Sequence, residues 1–170
     1  MGKFALERVL HQKLINQQIR LAEKVEEEGD PELAYRLLGN AHEDVLTVFE
    51  TYLKIIYRFL MGKKYLPNAR DLATKKAIGN KFQNIERGRE LYKNVGIDPF
   101  DGLADSDLNF LRVNIEKRHV VGHNLSIADE TYSESTQSEH PGRTVHLLAN
   151  EISRFADICA SVVTKLEENL

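Results

Sequence analysis

Six consecutive residues, Arg118-His119-Val120-Val121-Gly122-His123, carry the side chains of this sequence best suited to chemistry. Arginine keeps its charge and presents a planar fork of donors, so a buried one must pair or face a cleft or partner. His119 and His123 stand four apart, a helical spacing that can bring two imidazoles to one metal ion. A third ligand would have to come from His140, His146 or a carboxylate, and no Glu lies between the two histidines as a metalloprotease helix requires. Plainer roles are open to the same residues. Arg118 can form a salt bridge to an acidic group on the second helix, such as Glu43 or Asp44. Both histidines can cap a helix C-terminus, where a cation also favours the helix dipole. No Gly-rich phosphate loop, no identifiable Ser-His-Asp set and no Cys-His metal spacing competes with this segment. His11 and His42 belong to no recognisable constellation and read as surface or core polar residues.

The element that carries the six residues reads as a helix beginning after Asp105, a good N-cap, and reaching Gly122. At 100° per residue Leu108, Leu111 and Ile115 share one face, and continuing it brings Arg118, His119 and Gly122 into line. Phe110, Val113, Val120 and Val121 form a second apolar side, so polar groups stand where packing residues are expected. His123 lies about 140° from Arg118 on an ideal helix. The two converge only if the arginine bends across or the helix loosens at Gly122.

The elements around it are helical as well. Leu6, Leu10, Leu14, Leu21 and Val25 form the expected buried stripe of an N-terminal helix over residues 1–29. Asp30-Pro31-Glu32 restarts a helix to about Met61, with Leu33, Leu37, Ala41, Val45, Val48, Tyr52, Ile55 and Phe59 inward and Gly39 as a weak point. A third region from Ala69 to Val95 buries Leu72, Phe82, Ile85, Tyr92 and Val95, breaks near Gly79 and is capped by Gly96. Residues 124–142 are rich in Ser, Thr and Glu and read as a long loop. Val145, Leu148, Ile152, Phe155, Cys159, Val162 and Leu166 then mark a packing seam, which makes Cys159 a core residue rather than a nucleophile. The expected architecture is all-α, an antiparallel bundle of about five helices in one domain, 1–170.

Composition fits this. A chain of 170 residues with 42% hydrophobic content can bury a core without staples, and one cysteine excludes an internal disulfide framework. No apolar run approaches the roughly 20 residues of a membrane span, and the acidic Glu7 comes too early for a secretory leader, so a cytoplasmic protein with no membrane partner is expected. The net charge of -3 is unevenly spread: Arg58 to Lys93 holds ten Lys or Arg against three Asp or Glu. Such a run is either a solvated face or a surface for an anion such as RNA phosphate.

Arg118-His119-Val120-Val121-Gly122-His123 resembles the Arg-polar-x-x-x-His motif of the HEPN superfamily, placed at the end of a late helix in an all-α bundle. Glu116-Lys117 before it, Asn124 after it and the loop before a final helix are similar too; the likeness spans roughly residues 40–170 and is sharpest from Asp107 to Phe155. The resemblance implies a homodimer in which two such helices meet over one cleft. It also implies metal-independent endoribonuclease activity, with no cofactor, of the kind found in toxins and antiviral effectors. Arg118 and His123 would then be catalytic, with His119 at the family's polar position in support and Lys117 and Asn124 contacting substrate. The 2′-hydroxyl would attack the adjacent phosphorus, His123 would move protons near neutral pH, and Arg118 would stabilise the phosphorane. The basic third helix would help to hold the RNA backbone. An antitoxin or a nucleotidyltransferase partner is a further implication. Some members carry a tyrosine two residues beyond the motif histidine for modification by that transferase, but Leu125 stands there in this chain. The competing reading is a non-catalytic HEPN-like module for dimerisation or for nucleotide or other ligand binding.

Overall fold

Gly29 and Asp30 decide where the first two helices part. Helix α1 (Ala5–Glu27) ends at Gly29, whose φ of +92° suits glycine, and Asp30 accepts a hydrogen bond from the Leu33 backbone N–H at 3.0 Å to open α2 (Pro31–Lys63). The structure, a computed structural model, describes residues 5–63, 74–123, 126–137 and 139–170, and the side chains of residues 5–10, 75 and 123 lie outside that description.

After α2 come α3 (Lys75–Ile78), a 3₁₀ turn (Lys81–Gln83), α4 (Ile85–Tyr92) and a second 3₁₀ turn (Lys93–Val95). The motif helix α5 (Asp105–His123), the short α6 (Glu130–Thr136) and α7 (Ala149–Glu167) complete the order. Among the described residues there is no strand, only an isolated bridge between Ile127 and Thr144. The chain is all-helical, and a helix bundle describes it. The expected count of about five helices becomes seven among the described residues. Two causes account for this. The third region divides at Gly79, with φ +50°. The segment expected as a loop from 124 to 142 contains α6, because the Asp129 carboxylate caps the Tyr132 N–H at 2.7 Å. No described helix is long and apolar enough to cross a membrane.

Helix α2 runs through the middle, packed along α1 on one side and α7 on another, with α5 and the 3₁₀ turns against its remaining faces. Ala41, Val45 and Tyr52 are buried as expected, but elsewhere the inward row lies one position on: Ala34, Leu38, Phe49, Ile56 and Leu60 are buried, whereas Leu33 is exposed. The expected stripe of α1 is also displaced. Leu14 and Leu21 are 56% and 49% exposed, and Ile15, Ile19 and Ala22 fill the core instead. Leu6, Leu10 and Leu72 lie outside the described side chains. In α7 the seam from Ile152 to Leu166 is buried as expected, Cys159 with it, but Leu148 precedes the helix and is half-exposed.

Two packing arrangements position the motif. Phe82, Tyr57 and Tyr92 stack edge to face under α4, with ring centroids 5.5–6.4 Å apart, and Tyr92 donates to the Leu53 carbonyl at 2.8 Å. That cluster fixes the α3–α4 segment beside α2. At the far end of α5, Val120 packs with Ala128, Tyr132 and Val145 in a small separate cluster. The backbone bonds Ala128 N–H to Arg143 O and Val145 N–H to Ser126 O, both 2.8 Å, hold the following segment over it.

Candidate active-site cleft

A cleft of about 840 Å³ lies between α2, the Asn80–Arg87 segment and the C-terminal half of α5. Arg118, His119 and Gly122 line it from α5; Glu43, Asn40 and Arg36 line it from α2; Gln83 and Arg87 line it from the third wall. Helix α5 passes α2 at Gly39, where a Cβ would stand 3.6 Å from Val121, an ordinary contact distance. Arg112 ties α5 to the third wall through Glu86 at 2.7 Å, and that hydrogen bond holds the Glu86 carboxyl below its usual range.

Arg118 is the best-defined side chain of the site. Its Nε and Nη2 meet the two oxygens of Glu43 at 3.0 and 2.7 Å, and Nη1 meets Glu50 Oε1 at 2.7 Å. Glu43 and Glu50 stand seven apart, two helical turns on one face of α2, so one long guanidinium spans both. Glu50 is buried and also receives Lys54 at 3.0 Å. The salt-bridge partner that the sequence suggests, Glu43, is therefore present, and Asp44 instead accepts from Gln18. Three of the five arginine N–H groups are used, which leaves two for a ligand. With its side chain 28% exposed, Arg118 reaches the cleft while anchored behind it.

The remaining residues of the expected site divide. His119 is exposed at the cleft wall. The backbone of His123 closes α5, but its side chain lies outside the described residues, as do Asn124 and Leu125 entirely, so the convergence of Arg118 and His123 falls outside them too. Lys117, expected to contact substrate, does not line this cleft. It is buried on another side of α5, bonded to the His146 carbonyl and the Glu151 carboxylate at 3.0 Å each. The reason is angular: one residue from Arg118 is 100° around the helix, which turns Lys117 toward α7. Among the described residues no group of three His, Cys, Asp or Glu could hold a metal ion.

His42 is the residue that sequence reasoning missed. It is 1% exposed, lines the cleft floor and stacks on Phe155 with centroids 5.2 Å apart and planes 26° apart. Burial first, then the charges of Lys117 and Arg118, lowers its pKa to about 4, opposed by hydrogen bonding with Asn114. Its Nε2 has no hydrogen-bond partner. The available signal was spacing: Leu38, His42, Val45 and Phe49 advance by four, three and four along α2.

No family model matches the chain, and no curated protein or solved structure matches it.

Proposed function

We propose that the chain is a HEPN-type, metal-independent endoribonuclease acting as a homodimer, with the cleft at the end of α5 as its site. The observation that carries this reading is Arg118: an arginine fixed from behind by Glu43 and Glu50 keeps two N–H groups for a phosphate in a cleft it shares with His119. The 2′-oxygen attacks the adjacent phosphorus while its proton passes to a base, and the 5′-oxygen leaves with a proton from an acid. A 2′,3′-cyclic phosphate and a 5′-hydroxyl result, with no water consumed. His123 and His119 are assigned the proton transfers. Arg36 and Arg87 add cations at the rim, and Arg87 makes no ion pair among the described residues.

The second reading, a non-catalytic helical module, is favoured by the same arginine seen from the other side. Two carboxylates neutralise Arg118, so its position is also explained by packing alone. Incubating the purified protein with single-stranded RNA in EDTA separates the two. The enzyme reading expects cleavage that is lost in Arg118→Ala and His123→Ala. Equal product from wild type and variants, or none from any, leaves the binding module. Sedimentation of the same proteins reads the dimer.

A further inference from the structure

The two carboxylates that hold Arg118 differ in their freedom. Glu50 is buried and shares its charge with Lys54. Glu43 lines the cleft with its side chain 45% exposed, and it takes the side-on fork of the guanidinium, Nε and Nη2 together. An arginine grips a phosphate through just such a pair of parallel bonds. The hydrogens left over are one on Nη1 and one on Nη2. An oxygen on the second hydrogen of Nη2 stands roughly 5 Å from the Glu43 oxygen on the first. A phosphate and the Glu43 carboxylate therefore repel each other across one nitrogen.

Glu43 has somewhere to go. A helical side chain leans toward the helix N-terminus, which carries Glu43 over the turn of Gly39 and Asn40. Gly39 presents no side chain there, and the Asn40 amide and the Arg36 guanidinium line the same cleft. Among the described residues Arg36 is tied only to Glu32, and that pair is 72% and 79% exposed, so exchanging it costs little. Glu50, packed behind the arginine, has no such exchange.

We propose that Glu43 is a built-in anion that gates Arg118. It covers the side-on fork in the structure and turns out into the cleft when a phosphate takes that fork, while Glu50 keeps the arginine in place. The choice of phosphate rests on the ribonuclease reading; the gate is what is added to it. Apparent phosphate affinity is then lowered by the fraction of molecules in which Glu43 holds the fork.

Calorimetry of the full chain with inorganic phosphate at low salt tests the gate without turnover. Glu43→Gln is expected to bind phosphate about tenfold tighter than wild type, because the fork loses a charged bidentate occupant. Adding Arg118→Ala should remove the gain. Glu116→Gln controls for charge: Glu116 lines the same cleft and makes no ion pair among the described residues, so its loss should bring at most about a twofold gain. In the wild-type protein the Glu43 side-chain carboxyl resonance should move along the phosphate binding curve. Equal affinity in Glu43→Gln and wild type, or an equal gain in Glu116→Gln, overturns the gate. So does a Glu43 carboxyl resonance that stays fixed while phosphate binds, since the anion then uses the two outer hydrogens with Glu43 in place. That resonance decides even if a variant fails to fold. A phosphate gain in Glu43→Gln without RNA cleavage removes the enzyme reading and keeps the gate. Cleavage without the gain does the reverse.

Discussion

Arg118 and Glu43 meet at two points, Nε to Oε2 at 3.0 Å and Nη2 to Oε1 at 2.7 Å, and this fork joins the end of α5 to the middle of α2. Behind it Glu50 takes the third arginine contact and Lys54 closes the row, so two acids and two bases alternate along one seam. The two carboxylates differ in kind. The Glu50 side chain is 7% exposed and cannot be satisfied by water, whereas Glu43 is 45% exposed and can be.

That difference sets an order of stability. Arg118→Ala strands Glu50 with Lys54 as its remaining partner and is expected to cost about 2–3 kcal/mol, below the full cost of an isolated buried charge. Glu43→Gln keeps one acceptor in place and should cost roughly 1 kcal/mol or less, since water replaces what is lost. Urea unfolding of the two variants checks the order. A larger loss from Glu43→Gln would mean that the outer carboxylate, not the inner one, anchors the helix end.

Acid should weaken the fold through His42. Its folded pKa of about 4 lies below the ordinary 6.5, so between those values the unfolded chain binds a proton that the folded chain excludes. Stability from this site is complete above about pH 6.5 and falls as the pH drops toward 4, by about 3 kcal/mol across the window. Lys117 and Arg118 face the ring and oppose its protonation, so the loss comes from uptake in the unfolded state. His42→Phe should flatten the stability curve in this interval relative to wild type. Parallel urea titrations at pH 7 and 4.5 measure it, and an unchanged difference between the two pH values would remove His42 as the cause.

How far the sequence discloses all this depends on the kind of residue. Caps and breaks are local, so Asp30, Gly79 and Gly96 mark their boundaries from composition alone. Faces are not local. In α1 leucine is the commonest apolar residue type, yet Ile15, Ile19 and Ala22 make the narrower stripe that seats against α2 and α7, and Leu14 and Leu21 are left outward. Asp129 caps a seven-residue helix inside a stretch whose Ser, Thr and Glu content reads as loop, because α6 depends on Tyr132 packing under Val120 and Val145 rather than on propensity. At the site, a salt bridge from Arg118 to Glu43 or Asp44 follows from charge and helix order, and the structure selects Glu43. His42 does not, since a histidine in an apolar row looks the same whether it is satisfied or left with one open acceptor. Lys117 shows the opposite failure: adjacency to a motif residue in sequence is a 100° turn away from it on a helix.

Helix α6 offers a test of that dependence. Asp129→Ala removes the cap on the Tyr132 N–H and is expected to cost about 1 kcal/mol. The loss should be local. Hydrogen exchange should speed up at Tyr132 and Ser133 while the amides of α2 keep their protection. Global loosening would show instead that the segment from 126 to 147 is part of the main core.

Gly39 yields a prediction of the opposite sign. It lies in the interior of α2, where glycine is about 1 kcal/mol poorer than alanine, and the helix runs through it unbroken. A Cβ there would stand 3.6 Å from Val121 Cγ1 and 3.8 Å from Leu147 Cδ1, ordinary contact distances rather than clashes. Gly39→Ala should therefore raise stability by roughly 0.5–1 kcal/mol, read as a higher urea midpoint with an unchanged slope. A branched side chain adds atoms beyond Cβ toward Val121 and Leu147, so Gly39→Val should reverse the gain. If alanine also destabilises, the bare backbone at Gly39 is required by the approach of α5, and the cleft floor between His42 and Val121 is tighter than these distances indicate.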